Sequence, residues 1–199
     1  MNASRRGYHH GNLRTALVDA ALRRLDAGVR VYDLKFSELA EELGVSSGAP
    51  YRHFATLEAL IAEVAAVGLR GLTAAMRDGA SDPGAPGGEE LAAIGAAYVR
   101  YARAHPCLYE AMFFFGRSQL VAYPELAATG SEAFAVVNEA VAKAQAERGT
   151  AAIDRNSASV AAWALVHGLS LLINDELVER NDDENDLVEG VTRLLLTGL

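Results

Sequence analysis

Wherever apolar residues recur regularly in this 199-residue chain, the spacing is that of a helix. Leu13, Leu17, Ala20, Ala21 and Leu25 fall on one helical face, and Gly28 follows as a stop. SELAEELG (37–44) pairs Ser37, in the position of a cap, with inward Leu39, Ala40 and Leu43 and a terminal Gly44. A short helix is predicted over 47–54. Thr56 then caps a long one with Leu57, Leu60, Ile61 and Val64 on one side. ASDPGAPGG (80–88) is the clearest linker. Beyond it, helices are predicted at about 89–104, 106–115, 125–148, 154–180 and 183–198. No segment alternates with a period of two and no internal repeat is visible, while alanine and leucine, good helix formers, dominate. The predicted fold is all-α: a three-helix head with a helix-turn-helix, joined to a larger helical body.

Several classes are disfavoured early. The single cysteine, Cys107, excludes an intramolecular disulfide or an all-cysteine metal site and fits a reducing cytosol, so a cytoplasmic location is expected. Arg5-Arg6 is followed by polar His9-His10-Gly11-Asn12 rather than by the apolar core of a signal. The uncharged stretch 156–174 contains Ser157, Ser159, His167 and Ser170, and reads as a buried helix rather than a membrane span. Net charge is −8, yet residues 1–53 hold 8 Lys/Arg against 6 Asp/Glu and three of the five histidines. The remaining 10 Lys/Arg face 20 Asp/Glu. A basic tip on an acidic body suits a chain that touches a polyanion with the tip alone.

Two short helices joined by a tight turn make a helix-turn-helix. Gly44 lets the chain turn and Val45 is expected to pack the turn onto the head. The second helix, VSSGAPYRHFATLEAL onward, spans roughly 8 residues or about 12 Å, which fits a major groove. Ser46 or Ser47 is expected to cap it. Gly48 and Ala49 are small enough for close approach to base edges, Tyr51 and His53 can donate to phosphates, and Arg52 adds charge. Phe54 turns back into the core. Ser37 and Arg14 are further candidate contacts, and Arg5, Arg6, His9 and His10 form an arm able to follow the backbone or enter a minor groove.

VSSGAPYRHFATLEALIAEV resembles the signature of the tetracycline-repressor-like (TetR) family of one-component bacterial regulators, and YHHGNLRTALVDAAL resembles its first helix and preceding arm. The resemblance covers about residues 8–68. YVRYARAHPCLYEAMF (98–113) and AAWALVHGLSLL (161–172) resemble one branch of the family's C-terminal domains, marked by Trp163, His167 and Gly168. Many members carry a lysine just after the recognition helix where this chain has Leu57, and Pro50 sits in that helix's first turn. The resemblance implies a DNA-binding domain over 8–68 and a ligand-binding and dimerisation domain over 69–199. It also implies a ligand-responsive repressor, acting as a homodimer on a palindromic double-stranded DNA operator, with an unknown small-molecule effector.

The residues agree with such a body. Leu187, Val191, Leu194 and Leu195 form a stripe in the last helix, and the preceding one is apolar nearly all round from Val160 through Leu171 to Ile173. Both are expected at the dimer interface, against the alternative that they are buried in a monomer. Tyr98, Tyr101, Tyr109, Met112 and Phe113, with Trp163 and His167, either line an apolar pocket with polar tips or form a plain aromatic core. His167 is expected to be packed and hydrogen-bonded. The acidic run 179–190 lacks the glycine and final glutamate of a calcium loop and reads as an inter-helix turn. No cofactor, metal, membrane partner or enzymatic activity is expected: Cys107, His105, His167 and Asp175 share no catalytic spacing, and no phosphate loop, zinc helix or nucleophile elbow is present. The rival reading is a helical interaction or small-molecule-binding module without DNA binding.

Overall fold

A computed structural model describes residues 13–80, 82, 84–149, 154–178 and positions 187, 188, 190, 191, 193 and 194. Every regular element among them is helical. The head contains α1 (Leu13–Asp26), a 3-10 turn at Val31–Asp33, α2 (Phe36–Glu42) and a second 3-10 turn at Pro50–Arg52. Then α3 (Leu57–Gly79) runs from the head into the body, which adds α4 (Gly87–Ala104), α5 (Pro106–Met112), α6 (Arg117–Leu120), α7 (Pro124–Arg148) and α8 (Arg155–Asn174). The described positions from 187 to 194 are helical too, with Val188 buried.

The head closes over Leu17, Ala21, Leu25, Val31, Leu34, Leu39, Phe54 and Leu60, all buried. Gly44 ends α2 in the left-handed region at φ 65°, and its N–H donates to the Glu41 carbonyl while Val45 donates back to Ala40. That doubly bonded C-terminus needs a residue without Cβ at this position. Val45 itself is half-buried. Thr56 caps α3, its Oγ1 accepting from Ala59 N–H at 3.2 Å.

Four boundaries differ from expectation. Ser37 is not a cap: α2 begins at Phe36, flanked by extended Lys35 without a side-chain cap. Phe36 is buried and anchors the start in its place. The expected helix over 47–54 is a tight turn in which Ala49 bonds Ser46, Arg52 bonds Ala49 and His53 bonds Pro50. Pro50 cannot donate to Ser46, so the first α-type bond is missing and the chain tightens to 3-10 spacing, without a serine side-chain cap. Helix α5 stops at Met112, because the three aromatics that follow pack on different neighbours: Phe113 on His167, Phe114 on Tyr32, Phe115 on Tyr123. Helix α8 stops at Asn174, where Glu176 turns left-handed at φ 56° and Leu177 bonds back to Leu172.

Helix α3 is the axle of the body, packing against α4, α5 and α7, with α8 laid across α4 and α7. It runs without a break through 68/69, where the sequence suggested a domain boundary. Helices α3 and α8 are long and apolar enough to cross a membrane. In this fold both lie against neighbouring helices.

Candidate functional site

The turn after α2 presents Tyr51, Arg52 and His53 together on the outside, with Ser46, Ser47 and Gly48 also exposed and Ala49 half-buried. Two residues of the same segment hold it down. Pro50 and Phe54 are buried, and Tyr51 rests its ring edge on Phe36 at 4.9 Å while staying 60% exposed. A Cβ on Gly48 would meet open space, so its lack of a side chain answers no internal need. Ser37 is exposed in the first turn of α2. Arg14 has a different occupation from the one expected. It forms an ion pair with Glu63 on α3, donates to the His53 carbonyl at 2.9 Å and lies over the Phe54 ring at 4.3 Å. It fastens the turn to α3 rather than standing free for phosphate. Arg5, Arg6, His9 and His10 lie outside the described residues.

In the body, a cavity of about 640 Å³ opens between α3, α4, α5, α6, α7 and α8. Tyr98, Met112, Phe113 and Trp163, all expected as pocket residues, line it. Three do not. Tyr101 faces a surface groove beside Asp78 and Arg100 and donates to the Gly68 carbonyl at 3.0 Å. Tyr109 and His167 lie behind the cavity wall and border a separate cleft with Arg30, Tyr32 and Cys107. Residues not anticipated complete the cavity: Leu69, Leu72 and Met76 of α3, Arg117 of α6, and Leu126, Gly130, Ser131, Phe134 and Val137 of α7.

The wall between cavity and cleft is a hydrogen-bonded chain. Trp163 Nε1 donates to the Tyr98 hydroxyl at 3.3 Å, Tyr98 and Tyr109 hydroxyls lie 3.0 Å apart, and Tyr109 reaches His167 Nδ1 at 2.6 Å. Indole N–H only donates, so a neutral imidazole accepting at Nδ1 satisfies every member. Burial lowers the His167 pKa, in keeping with that neutral form, and pushes the Tyr98 phenol up to about 12. Burial raises Tyr109 likewise. The cleft is bounded by a polar link between head and body. Glu110 of α5 grips Arg30 with both oxygens, Arg30 Nε lying 3.0 Å from each, and accepts from Val31 N–H at 3.3 Å.

Residues 91–195 match the family described as tetracyclin repressor-like, C-terminal domain. This chain belongs to that family. As a TetR-family member it is a DNA-binding, ligand-responsive transcriptional regulator, with the all-helical fold of such regulators. A Rhodococcus sp. RHA1 protein of unknown function superposes with a TM-score of 0.80 at 26% identity, over 98% of each chain. FadR from Bacillus subtilis in complex with stearoyl-CoA shares the fold with a TM-score of 0.71 at 15% identity, over 93% of this chain and 98% of that one. PfmR from Thermus thermophilus, a TetR-family transcriptional regulator, does so with 0.67 at 18%, over 92% and 98%. No curated protein matches the sequence.

On this TetR-family body, α8 is two-faced. Ala158, Ala162, Val166, Leu169 and Ile173 are buried against α4 and α7, whereas Val160, Trp163, Leu171 and Leu172 are each at least 36% exposed. Leu187 and Val191 pack partly on the core and Leu194 is 64% exposed. Leu195 and most of the acidic run lie outside the described residues.

Proposed function

We propose that this regulator is a homodimeric repressor that grips a palindromic operator with two heads (8–68) and releases it when a small molecule enters the body (69–199). The observation that carries the reading is the exposed triplet Tyr51-Arg52-His53, displayed on a turn whose Pro50 and Phe54 are buried. Ser46, Ser47, Gly48 and Ala49 approach base edges, and Tyr51, Arg52 and His53 take phosphates. Ser37 and the arm residues Arg5, Arg6, His9 and His10 add backbone contacts. Arg14 serves by holding the turn. The exposed apolar face of α8, with Val160 and Leu171, joins Leu187, Val191, Leu194 and Leu195 in the interface, since so large an apolar strip is costly to leave in water. Tyr98, Met112, Phe113 and Trp163 contact the effector, with Tyr109 and His167 supporting them from behind. Release follows a shift of α3 and α5 that changes the separation of the heads. The setting is cytoplasmic, with no membrane partner. Selection of bound DNA from a random pool at two salt concentrations tests this. A palindrome whose recovery falls with salt supports it. Absence of enrichment at both salts refutes it.

A further inference from the structure

We infer that the body cavity selects amphipathic carboxylates: a compact anionic head held at Arg117 and an apolar body laid between α3 and α7. The inference rests on the reading of this cavity as the effector site. Arg117 is the one charged residue among those lining the cavity, and no carboxylate shares the lining. Elsewhere in the body Lys143 pairs with Glu90 and Arg70 with Glu125. Among the described residues the Arg117 guanidinium has no ion-pair or hydrogen-bond partner. It stands exposed on α6, at the edge of a space otherwise walled by Leu69, Leu72, Leu126, Phe134 and Val137.

An unpaired cation beside a low-dielectric cavity focuses its field into that cavity and favours an anion there. A planar guanidinium matches a carboxylate with two parallel hydrogen bonds. The rest of the lining decides the remainder of the ligand. Ser131 spends its proton on the Ala127 carbonyl, and Tyr98 and Trp163 are engaged with each other. Few free donors are left inside, so the body of the ligand must be apolar. A second cation, or a ligand with several charges, would find no partner.

The sole tryptophan, Trp163, lines the cavity and reports occupancy without DNA. The full-length protein is titrated with laurate and with the matched neutral alcohol, dodecanol, following Trp163 emission. Laurate is expected to bind about three- to ten-fold more tightly, the range for a partly exposed charged hydrogen bond. In Arg117→Gln the carboxylate loses that advantage, while the alcohol binds as before, which also shows the variant folded. Equal binding of acid and alcohol to the unaltered protein, binding of neither, or a preference that survives Arg117→Gln each overturns the inference. None of these outcomes touches operator selection, so the dimeric-repressor reading stands or falls separately.

Discussion

Gly130 lies in the middle of α7, half-buried on the cavity wall, and its replacement by alanine has a sign that the structure decides. Glycine inside a helix costs about 0.8–1 kcal/mol relative to alanine. A Cβ placed there meets only Leu69 Cδ1, at 3.9 Å, an ordinary contact. Nothing must move, so the full propensity gain is expected, about 1 kcal/mol in all. For a chain of this size that raises Tm by about 2–4 °C. Gly87 is the control. At the start of α4, its Cβ would lie 2.7 Å from Ala144 N and 2.9 Å from Lys143 C, both backbone atoms of α7. Gly87→Ala must push α4 away from α7 and is expected to cost about 1–3 kcal/mol, lowering Tm. Thermal melts of both variants at one protomer concentration settle it, because dimerisation makes Tm concentration-dependent. A lower Tm for Gly130→Ala, or shifts of the same sign in both, refutes the packing argument.

Tyr51→Ala is expected to weaken binding to all DNA sequences alike, whereas Gly48→Leu, whose Cβ meets no atom of the protein within 4 Å, should change or abolish sequence preference while leaving Tm nearly unaltered. Binding assays on selected and scrambled duplexes check both, and a changed preference in Tyr51→Ala contradicts the assignment. Glu110→Ala removes the acceptor of the Val31 amide and should speed hydrogen exchange at that amide, at a stability cost of about 1 kcal/mol or less; unchanged exchange would deny the link. Because burial lowers the His167 pKa from 6.5, its contribution to stability is full above pH 6.5. It is lost as pH falls from there towards the lower folded value, since the unfolded chain takes up the proton first. His167→Gln should flatten that acid-side decline in Tm, and an equally steep decline would show that other groups cause it.

Much of the head was legible because its signals are local. Gly28, Gly44 and Thr56 end or begin helices through their own backbone freedom or hydroxyl, and Phe54 announces itself as the apolar residue after a polar triplet. The recognition turn was legible as a place but not as a shape: Pro50 is tolerable at the start of a helix, yet here its missing N–H falls where the first α-type bond would form. The end of α8 carries no glycine, so the left-handed Glu176 left no mark to read. Arg14 looked like a free cation because its partner, Glu63, lies 49 positions away. The cavity was half visible. Tyr98, Met112, Phe113 and Trp163 were named, but the wall of Leu126, Phe134 and Val137 was not, because whether facing helices close on such residues or stand apart depends on positions such as Gly130 that leave volume unfilled. Tyr98, Tyr109 and His167 looked like one set. Only the packing shows a wall, with Tyr98 on one side and the other two behind it.

The magnitudes also rank the two routes from cavity to head. Helix α5 carries Met112 in the cavity, with Phe113 just past its end, and Glu110, two residues before Met112, holds Arg30 and Val31, so a shift of this short helix moves both contacts together. The Arg30 side chain is 64% exposed, so solvent screens the ion pair and it holds only weakly. Helix α3 is continuous from the head to Gly79, lines the cavity through Leu69, Leu72 and Met76, and bends only at the cost of its own hydrogen bonds. A ligand that displaces both must move the head with α3, while the Glu110 contact slides or breaks at small expense. In the proposed mechanism α3 therefore sets the direction of the head's motion, and the Arg30–Glu110 pair sets how firmly the resting position is held. Breaking that pair should ease the switch without erasing it.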